Sequence, residues 1–251
     1  MLSRKERHRQ GIGRQPFPPT WWTILRDAVA LVRRLPTEDH DELRGHIQIL
    51  LAEKHFEGAA DLAITDAMRL VIAAQAAVML LHRPTDYYPR LVSVILYPGE
   101  YAVQEEITTE DGLVEQLDET RVGESWQTGT LVLSWDQIEQ GSANEAQNVV
   151  LHEFAHQLDA ESGEMNGAPI LPNRRLRHRW ADAMSSAFDR LIEADERGEE
   201  TLLDPYGTED PAEFFAVATE AFFLIPSELE SAEPDLYAVL RDYYCQDPAR
   251  W

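Results

Sequence analysis

The stretch that decides the fold is Asn148 to Gly163, NVVLHEFAHQLDAESG, in a chain of 251 residues. It contains the pattern HExxH, formed by His152, Glu153 and His156. Residues four apart on a helix lie one turn apart on the same face, so both imidazoles can point at one metal ion. The glutamate can take a proton from a water that the ion has acidified, as that water attacks a peptide carbonyl. The pattern therefore predicts two zinc ligands and a general base.

The residues around this pattern predict a helix from about 143 to 159. Ser142 and Glu145, three residues apart, match a capping box, which closes the first turn of a helix. The segment also supplies apolar packing residues: Val149, Val150, Leu151, Phe154 and Leu158. The alternative interpretation is a helix that merely carries two surface histidines.

A third protein ligand is needed, because a catalytic zinc site keeps its fourth position for water. One known arrangement places a third histidine six residues after the second with a glycine midway, but those positions are Ser162 and Asp159 here. Another places a glutamate about 20 residues downstream, but no glutamate occurs between Met165 and Ile192. His178 and Glu213 remain as candidates.

Glu213 is the better of these two candidates. His178 lies in the basic cluster RRLRHRW, residues 174–180, which would repel a cation. Glu213 is followed by Phe214 and Phe215, which indicate a buried helix, and a buried carboxylate requires a cation or hydrogen-bond donors.

Two acids in this region have simpler interpretations as well. Glu213 is the third residue after Asp210, so it also fits a capping box that only closes the helix N-terminus. Glu220 falls on nearly the same helix face as Glu213. It either orients a ligand histidine or is an ordinary exposed acid.

The remaining segments predict a helix-dominated α+β domain with a small β-sheet. Short β-branched or aromatic runs bounded by Pro and Gly predict strands at Leu91–Tyr97 and Thr130–Trp135, with Val103–Ile107 as an edge strand before an acidic stretch at 109–120. Periodicity and capping signals predict the other helices: 38–56, 66–82, 174–196, one opening at Pro211, and 236–244.

Charge is unevenly distributed along the chain. Residues 1–35 hold eight Lys or Arg and two acids, whereas residues 36–251 hold 14 Lys or Arg and 43 acids. Such an acidic body is repelled by nucleic-acid phosphates, so we expect no direct nucleic-acid partner. We expect residues 1–35 to form a basic, partly flexible arm and residues 36–251 to form the zinc-binding domain.

The sequence also predicts a soluble, cytoplasmic protein without a membrane partner. The single cysteine, Cys245, excludes an internal disulfide framework. No run approaches the roughly 18 to 20 apolar residues of a membrane helix. The basic N-terminus lacks the apolar stretch of a secretory signal.

Several separated motifs, in order, resemble the Mlc titration factor A family of zinc metallopeptidases. They are PFP near the N-terminus, the stretch from Lys54 through ITDAMRLVIAAQAAVMLL, VGESWQTGTLVLSW at 122–135, HEFAHQLD, NGAP at 166–169, DPAEFFAV at 210–217, and YYCQDP near the C-terminus. The resemblance implies a zincin-like fold of the gluzincin type and one zinc ion per chain. It implies His152, His156 and Glu213 as ligands and Glu153 as general base.

The resemblance also implies a function. Members of the family are aminopeptidase-like on short peptides and take part in glucose-uptake regulation by capturing the repressor Mlc. The expected partners are therefore peptide substrates and an Mlc-like transcriptional repressor. Repressor capture need not use zinc chemistry, so a non-catalytic binding protein with a structural or vestigial metal site is the alternative.

Locally the chain is similar to the catalytic domain of anthrax lethal factor, which implies further roles. There a tyrosine seven residues before the ligand glutamate faces the developing oxyanion, and Tyr206 has that position here. The second acid of lethal factor is replaced by Val217, so support for a ligand would come from Glu220 or Asp159. In zincin folds an edge strand binds extended substrate. The candidates for this strand are Thr130, Leu131, Val132 and Leu133. The alternative is that these residues form an ordinary interior strand.

Overall fold

The computed structural model describes residues 3–99, 103–108, 114–119, 129–141 and 147–251. The first half of these ranges contains helices α1 (Arg4–Gly13), α2 (Pro19–Ala28), α3 (Ala30–Arg34), α4 (His40–Glu53) and α5 (Asp66–Val78). The second half contains helices α6 (Trp135–Gly141), α7 (Val149–Asp159), α8 (Arg174–Glu196), α9 (Pro211–Leu224), α10 (Pro226–Ala232) and α11 (Pro234–Tyr244). The strands are β1 (His55–Gly58), β2 (Ser93–Tyr97), β3 (Val103–Thr108), β4 (Val114–Glu119) and β5 (Thr130–Ser134).

A small parallel sheet in the order β1-β2-β5 supports the site. In its register Val94 pairs with Leu131, and Leu96 pairs with Leu133. All four of these side chains are buried, because alternate residues of a strand face the same side of a sheet. Helices α5 and α7 pack together, and α7 also contacts β5. The predicted helix-dominated α+β class with a small sheet is confirmed.

The predicted strand at Val103–Ile107 is present, and it is an edge strand because its sheet has only two strands in the described part of the chain. This segment is β3, and it pairs antiparallel with β4 in a separate two-stranded sheet. Strand β4 lies inside the acidic stretch 109–120, where no strand was predicted. Acidic residues are uncommon in strands, and local pairing with the preceding strand overrides that composition.

The helix that carries the histidines begins later than the sequence predicts. Helix α7 starts at Val149, and Asn148 is its N-cap, with an extended backbone and a side-chain oxygen that accepts bonds from Val150 N and Leu151 N. The capping box expected at Ser142 and Glu145 lies outside the described residues. Asn is among the strongest N-cap residues, so the local signal nearest the motif determines where the helix begins.

Other predicted helices are confirmed with small changes at their ends. Helix α8 has the predicted bounds, and α9 begins at Pro211 with Asp210 as its N-cap. The predicted helices 38–56 and 66–82 are shorter, at α4 and α5, and 236–244 begins earlier, at Pro234. Among the described residues, no helix combines the length and the hydrophobicity needed to cross a membrane.

The N-terminal helix α1 packs against α4 through an ion-paired arginine. The Arg9 guanidinium is nearly buried and donates to both carboxylate oxygens of Glu53, each at 2.7 Å, and to Asp86. A bidentate pair of this kind is among the stronger ionic contacts in proteins. Part of the basic N-terminal segment is therefore neutralised by acids of the rest of the chain.

Candidate metal centre

Two helices present the side chains of the site. Helix α7 carries the histidines on a face directed at α9, and the two helices pack against each other. Helix α9 begins with Pro211 behind the Asp210 cap, whose carboxylate accepts from Ala212 N at 2.7 Å and Glu213 N at 3.0 Å. Because Asp210 satisfies the first amides, the side chain of Glu213 is available to face α7.

Three ligand atoms converge between these helices. His152 Nε2 lies 2.9 Å from Glu213 Oε2 and 3.2 Å from His156 Nε2, and His156 Nε2 lies 3.4 Å from the same carboxylate oxygen. In a tetrahedral zinc site, bond lengths of about 2.0–2.1 Å place neighbouring ligand atoms about 3.3 Å apart. The spacing and the donor set, two imidazoles and a carboxylate, therefore fit one zinc ion.

The electrostatics of the cluster are those of a cation site. For His152, burial opposes the charged ring, but hydrogen bonds to Glu213 and Glu220 outweigh it and raise its pKa to about 10. For Glu213, burial favours the neutral acid, but hydrogen bonds from the two histidines lower its pKa to about 2. Both ring nitrogens of His152 are thus protonated at neutral pH, and a metal ion that binds Nε2 must displace the proton there.

Glu220 holds His152 from the side opposite the cluster. Its Oε1 lies 2.8 Å from His152 Nδ1, and its Oε2 accepts a bond from the backbone N–H of Asn148. The Nδ1–H group of the ring donates to this carboxylate, which leaves Nε2 to face a metal. Of the two interpretations of Glu220, the structure favours the orienting contact, since the side chain is buried.

Two polar residues near the site were not singled out in the sequence. Asn148 caps α7 and holds Glu220, and its Nδ2 donates to Gln75 Oε1 at 2.5 Å. Gln75 is buried on α5 and also donates to the Val71 carbonyl. The glutamine within the apolar run of α5 could have been singled out from the sequence, because a buried amide needs hydrogen-bond partners. These residues link α5 to the metal centre.

Tyr206 stands beside the metal cluster and is partly exposed. Its ring centroid is 5.9 Å from that of His152, and 48% of the residue is exposed. It lies in the 3₁₀ turn Pro205–Thr208, whose cap Asp204 accepts from the Tyr206 amide at 2.9 Å. Burial raises the Tyr206 pKa well above its usual range, and the nearby carboxylate of Glu213 adds to this shift. The phenol is therefore a proton donor at neutral pH.

Glu153 follows His152 on α7 and is buried, with 4% of its surface exposed. Its negative charge adds to the raised pKa of His152, after the larger effect of the hydrogen bonds to Glu213 and Glu220. It also adds to the raised pKa of Tyr206, after burial and the charges of Glu213 and Glu209. The Glu153 carboxylate, on α7, and the Tyr206 phenol, in the turn before α9, are therefore both near His152.

Asp159 supports the turn after α7. It is fully buried, and its Oδ2 accepts from the Gly167 amide at 2.7 Å. The carbonyl of Gly167 in turn accepts from Trp180 Nε1 at 2.9 Å. Burial raises the pKa of Asp159, and the backbone amides at Gly167 and Asn166 oppose that shift. The NGAP turn is thereby fixed against α8.

Gly167 also lets this turn approach the start of α9. Its φ is +72°, and a Cβ there would lie 2.2 Å from the Pro211 carbonyl oxygen. We expect Gly167→Ala to destabilise the protein by about 2–4 kcal/mol, because left-handed backbone strain adds to overpacking. Denaturant unfolding measures this cost, and zinc affinity should fall with it, since Pro211 opens the helix that carries Glu213.

Gly198→Ala is the matched control for this substitution. Gly198 has a similar φ of +64°, but nothing lies within 4 Å of its added Cβ. Its cost should stay near 1 kcal/mol, the strain alone. Equal losses of stability in the two variants would contradict the close approach at Pro211.

The other sequence candidates lie as follows. His178 is exposed on α8, where its Nε2 accepts from Arg174 Nε at 3.3 Å, and it is outside the His-His-Glu cluster. Thr130 to Leu133 form most of β5, which in the described part of the chain pairs on one side only, with β2. Leu131 and Leu133 are buried, whereas Thr130 and Val132 are half-buried.

A helix-dominated fold that joins two histidines and a distant glutamate between packed helices is the architecture of a metallopeptidase. Residues 3–245 match the family model described as "Glucose-regulated metallo-peptidase M90". The chain belongs to this family.

Similar proteins come from several bacteria. The chain is 42% identical to an uncharacterized protein of Synechocystis sp. over 238 residues, 93% of this chain and 86% of that protein. It is 35% identical to Mlc titration factor A of Pectobacterium atrosepticum over 88% of this chain and 84% of that protein. It is 30% identical to Mlc titration factor A of Serratia proteamaculans over 88% of this chain and 86% of that protein. The resemblance to the Mlc titration factor A family is confirmed.

Proposed function

We propose that this chain is a zinc-dependent peptidase that hydrolyses peptide bonds, with aminopeptidase-like activity on short peptides. The observation that supports it most directly is the convergence of His152 Nε2, His156 Nε2 and Glu213 Oε2 within 3.4 Å of one another. One zinc ion per chain would be held by these atoms, and Glu153 lies next to the first ligand on the same helix.

The side chains around the ligands have separate tasks in this proposal. When bound, zinc supplies Lewis-acid polarisation and lowers the pKa of a water molecule. The Glu153 carboxylate takes the proton of the attacking water and passes it toward the leaving amine. The Tyr206 phenol donates a hydrogen bond to the oxygen that gains negative charge as the carbonyl becomes tetrahedral. Glu220 keeps the His152 ring oriented.

Strand β5 is the proposed substrate-binding strand. Its backbone from Thr130 to Leu133 can pair with an extended peptide on the side away from β2, so hydrogen bonds would position the scissile bond without regard to side-chain identity. Burial of Leu131 and Leu133 in the core holds the strand rigid, which limits the ordering cost of binding.

The physiological role we propose is the regulation of glucose uptake in the cytoplasm through an Mlc-type repressor. The support is the family description, "Glucose-regulated metallo-peptidase M90", and the name Mlc titration factor A carried by relatives 28–35% identical to this chain. The second candidate function is repressor sequestration without catalysis, with a structural or vestigial metal site. The same relatives' name favours it, because titration is a binding event.

Metal analysis tests the proposed function. We expect about one zinc per chain, peptide cleavage that is lost on chelation, and recovery when zinc is restored. Zinc affinity should rise about tenfold per pH unit between pH 6 and pH 8, because binding displaces the proton that His152 holds up to a pKa of about 10. Competition titrations with a chromogenic chelator at several pH values measure this slope.

Three results would count against this proposal. A purified chain that binds far less than one zinc would favour the vestigial site. Cleavage that survives complete metal removal would exclude a metal mechanism for that cleavage. A pH-independent zinc affinity would contradict the raised pKa of His152.

A further inference from the structure

A surface cavity of about 680 Å³ lies between the start of α8 and the end of α11, and the metal ligands do not line it. Three arginines face it: Arg175 and Arg179 from α8, and Arg241 from α11. Asp242 and Asp247 also line it, so cations exceed anions at this place. The rest of the chain has the opposite balance, with a net charge of −23 overall.

Helix α8 has a charge pattern opposed to its own dipole. Its first two turns contain four arginines and a histidine and no acid, and its last turn contains acids and no base. Cations near a helix N-terminus are unfavourable, because the free backbone N–H groups there already carry positive charge. Of these arginines, Arg179 has a structural role, because it pairs with Asp242 of α11, whereas Arg175 is exposed. Charge that works against stability in this way is expected where a site binds a ligand.

The arginines differ in how they are compensated. Arg179 is paired with Asp242, and Arg241 lies 3.6 Å from the other oxygen of that carboxylate. Arg175 is exposed, and within the described part of the chain it has no ion pair. Two of the three guanidinium groups therefore share one carboxylate, which leaves bonding capacity for an incoming anion.

We propose that this cavity, the arginine pocket, binds an acidic peptide segment of a partner protein in extended conformation. Arg175 and Arg179 are one turn apart, about 6 Å along the helix, and alternate side chains of an extended chain repeat at about 6.6 Å. Carboxylates at every second residue thus match the arginine spacing. The cavity volume accommodates several side chains rather than one small anion, and the remaining negative surface discourages acidic ligands elsewhere.

The test is the binding of a fluorescein-labelled, N-acetylated peptide with glutamate at every second position and serine between. Fluorescence anisotropy should give saturable binding that weakens with salt. Arg175→Glu should weaken it about tenfold or more, and Arg179→Gln should weaken it as well. Mass spectrometry shows that the probe stays intact, and thermal unfolding shows that each variant is folded.

Arg197→Glu is the matched control, since it makes the same charge change at the exposed far end of α8. It should change peptide affinity by less than about twofold. Equal weakening by Arg197→Glu and Arg175→Glu would overturn the pocket in favour of net charge. A control peptide carries lysine in place of each glutamate of the probe. Absence of saturable binding, equal binding of this control peptide, or displacement by about 1 mM inorganic phosphate would each overturn the acidic-peptide assignment.

Discussion

Replacing Glu153 with glutamine is expected to reduce peptide cleavage by about 10²–10⁴-fold, the contribution of a positioned general base. Glutamine keeps the shape of the side chain but cannot take a proton, and the three ligand atoms are on other residues. The variant should therefore bind zinc as the unchanged protein does. Measurements of kcat/KM on a short peptide, zinc content and thermal unfolding separate the loss of the base from a loss of metal or fold.

The same variant also distinguishes the two candidate functions. If repressor capture is a separate binding activity, Glu153→Gln should capture an Mlc-type repressor with unchanged affinity while cleavage is lost. Undiminished cleavage with zinc retained would refute the role of Glu153. Loss of capture together with cleavage would instead make the repressor interaction depend on the chemistry of this site.

Replacing Glu213 with alanine should weaken zinc binding by more than about 100-fold, beyond the effect that is usual for residues that only contact a ligand. The substitution removes the oxygen that faces both His152 Nε2 and His156 Nε2. The two imidazoles would remain on α7 but without the third ligand and its negative charge. Zinc content and competition titrations measure the loss.

His178→Ala is the control for this experiment, because His178 is the other ligand candidate of the sequence and lies on the surface of α8. It should keep its zinc. Glu213→Gln, which preserves side-chain volume, tests whether packing alone explains the effect. Zinc retained in Glu213→Ala and lost in His178→Ala would overturn the proposed ligand set.

Much of the fold could be predicted because local signals agreed with tertiary packing. Helix α8 and the start of α9 have predicted bounds, since Asp210 and Pro211 are a cap and a first helical residue wherever the chain lies. Predictions were wrong where signals were weak or competed. Helix α7 begins at Val149 behind the Asn148 cap, later than predicted, and the acidic composition of 114–119 concealed β4.

The candidate site was likewise predictable only in part. His152 and His156 could be predicted as a pair from the sequence because their four-residue spacing places them on one helix face, and Glu153 was predicted from the same motif. Glu213 could only be proposed, because 57 positions separate it from His156 in the sequence. The packing of α9 on α7 brings its carboxylate to the histidines.

The sequence by itself determined the main helices, the cap of α9 and the histidine spacing on α7, since these depend on neighbours within a few residues. Only the tertiary structure decided that Glu220, Asn148 and Gln75 form a connected path behind His152. It also decided that Arg175 and Arg241 share one cavity. Contacts between distant segments follow from how whole helices pack, which no local pattern of residues encodes.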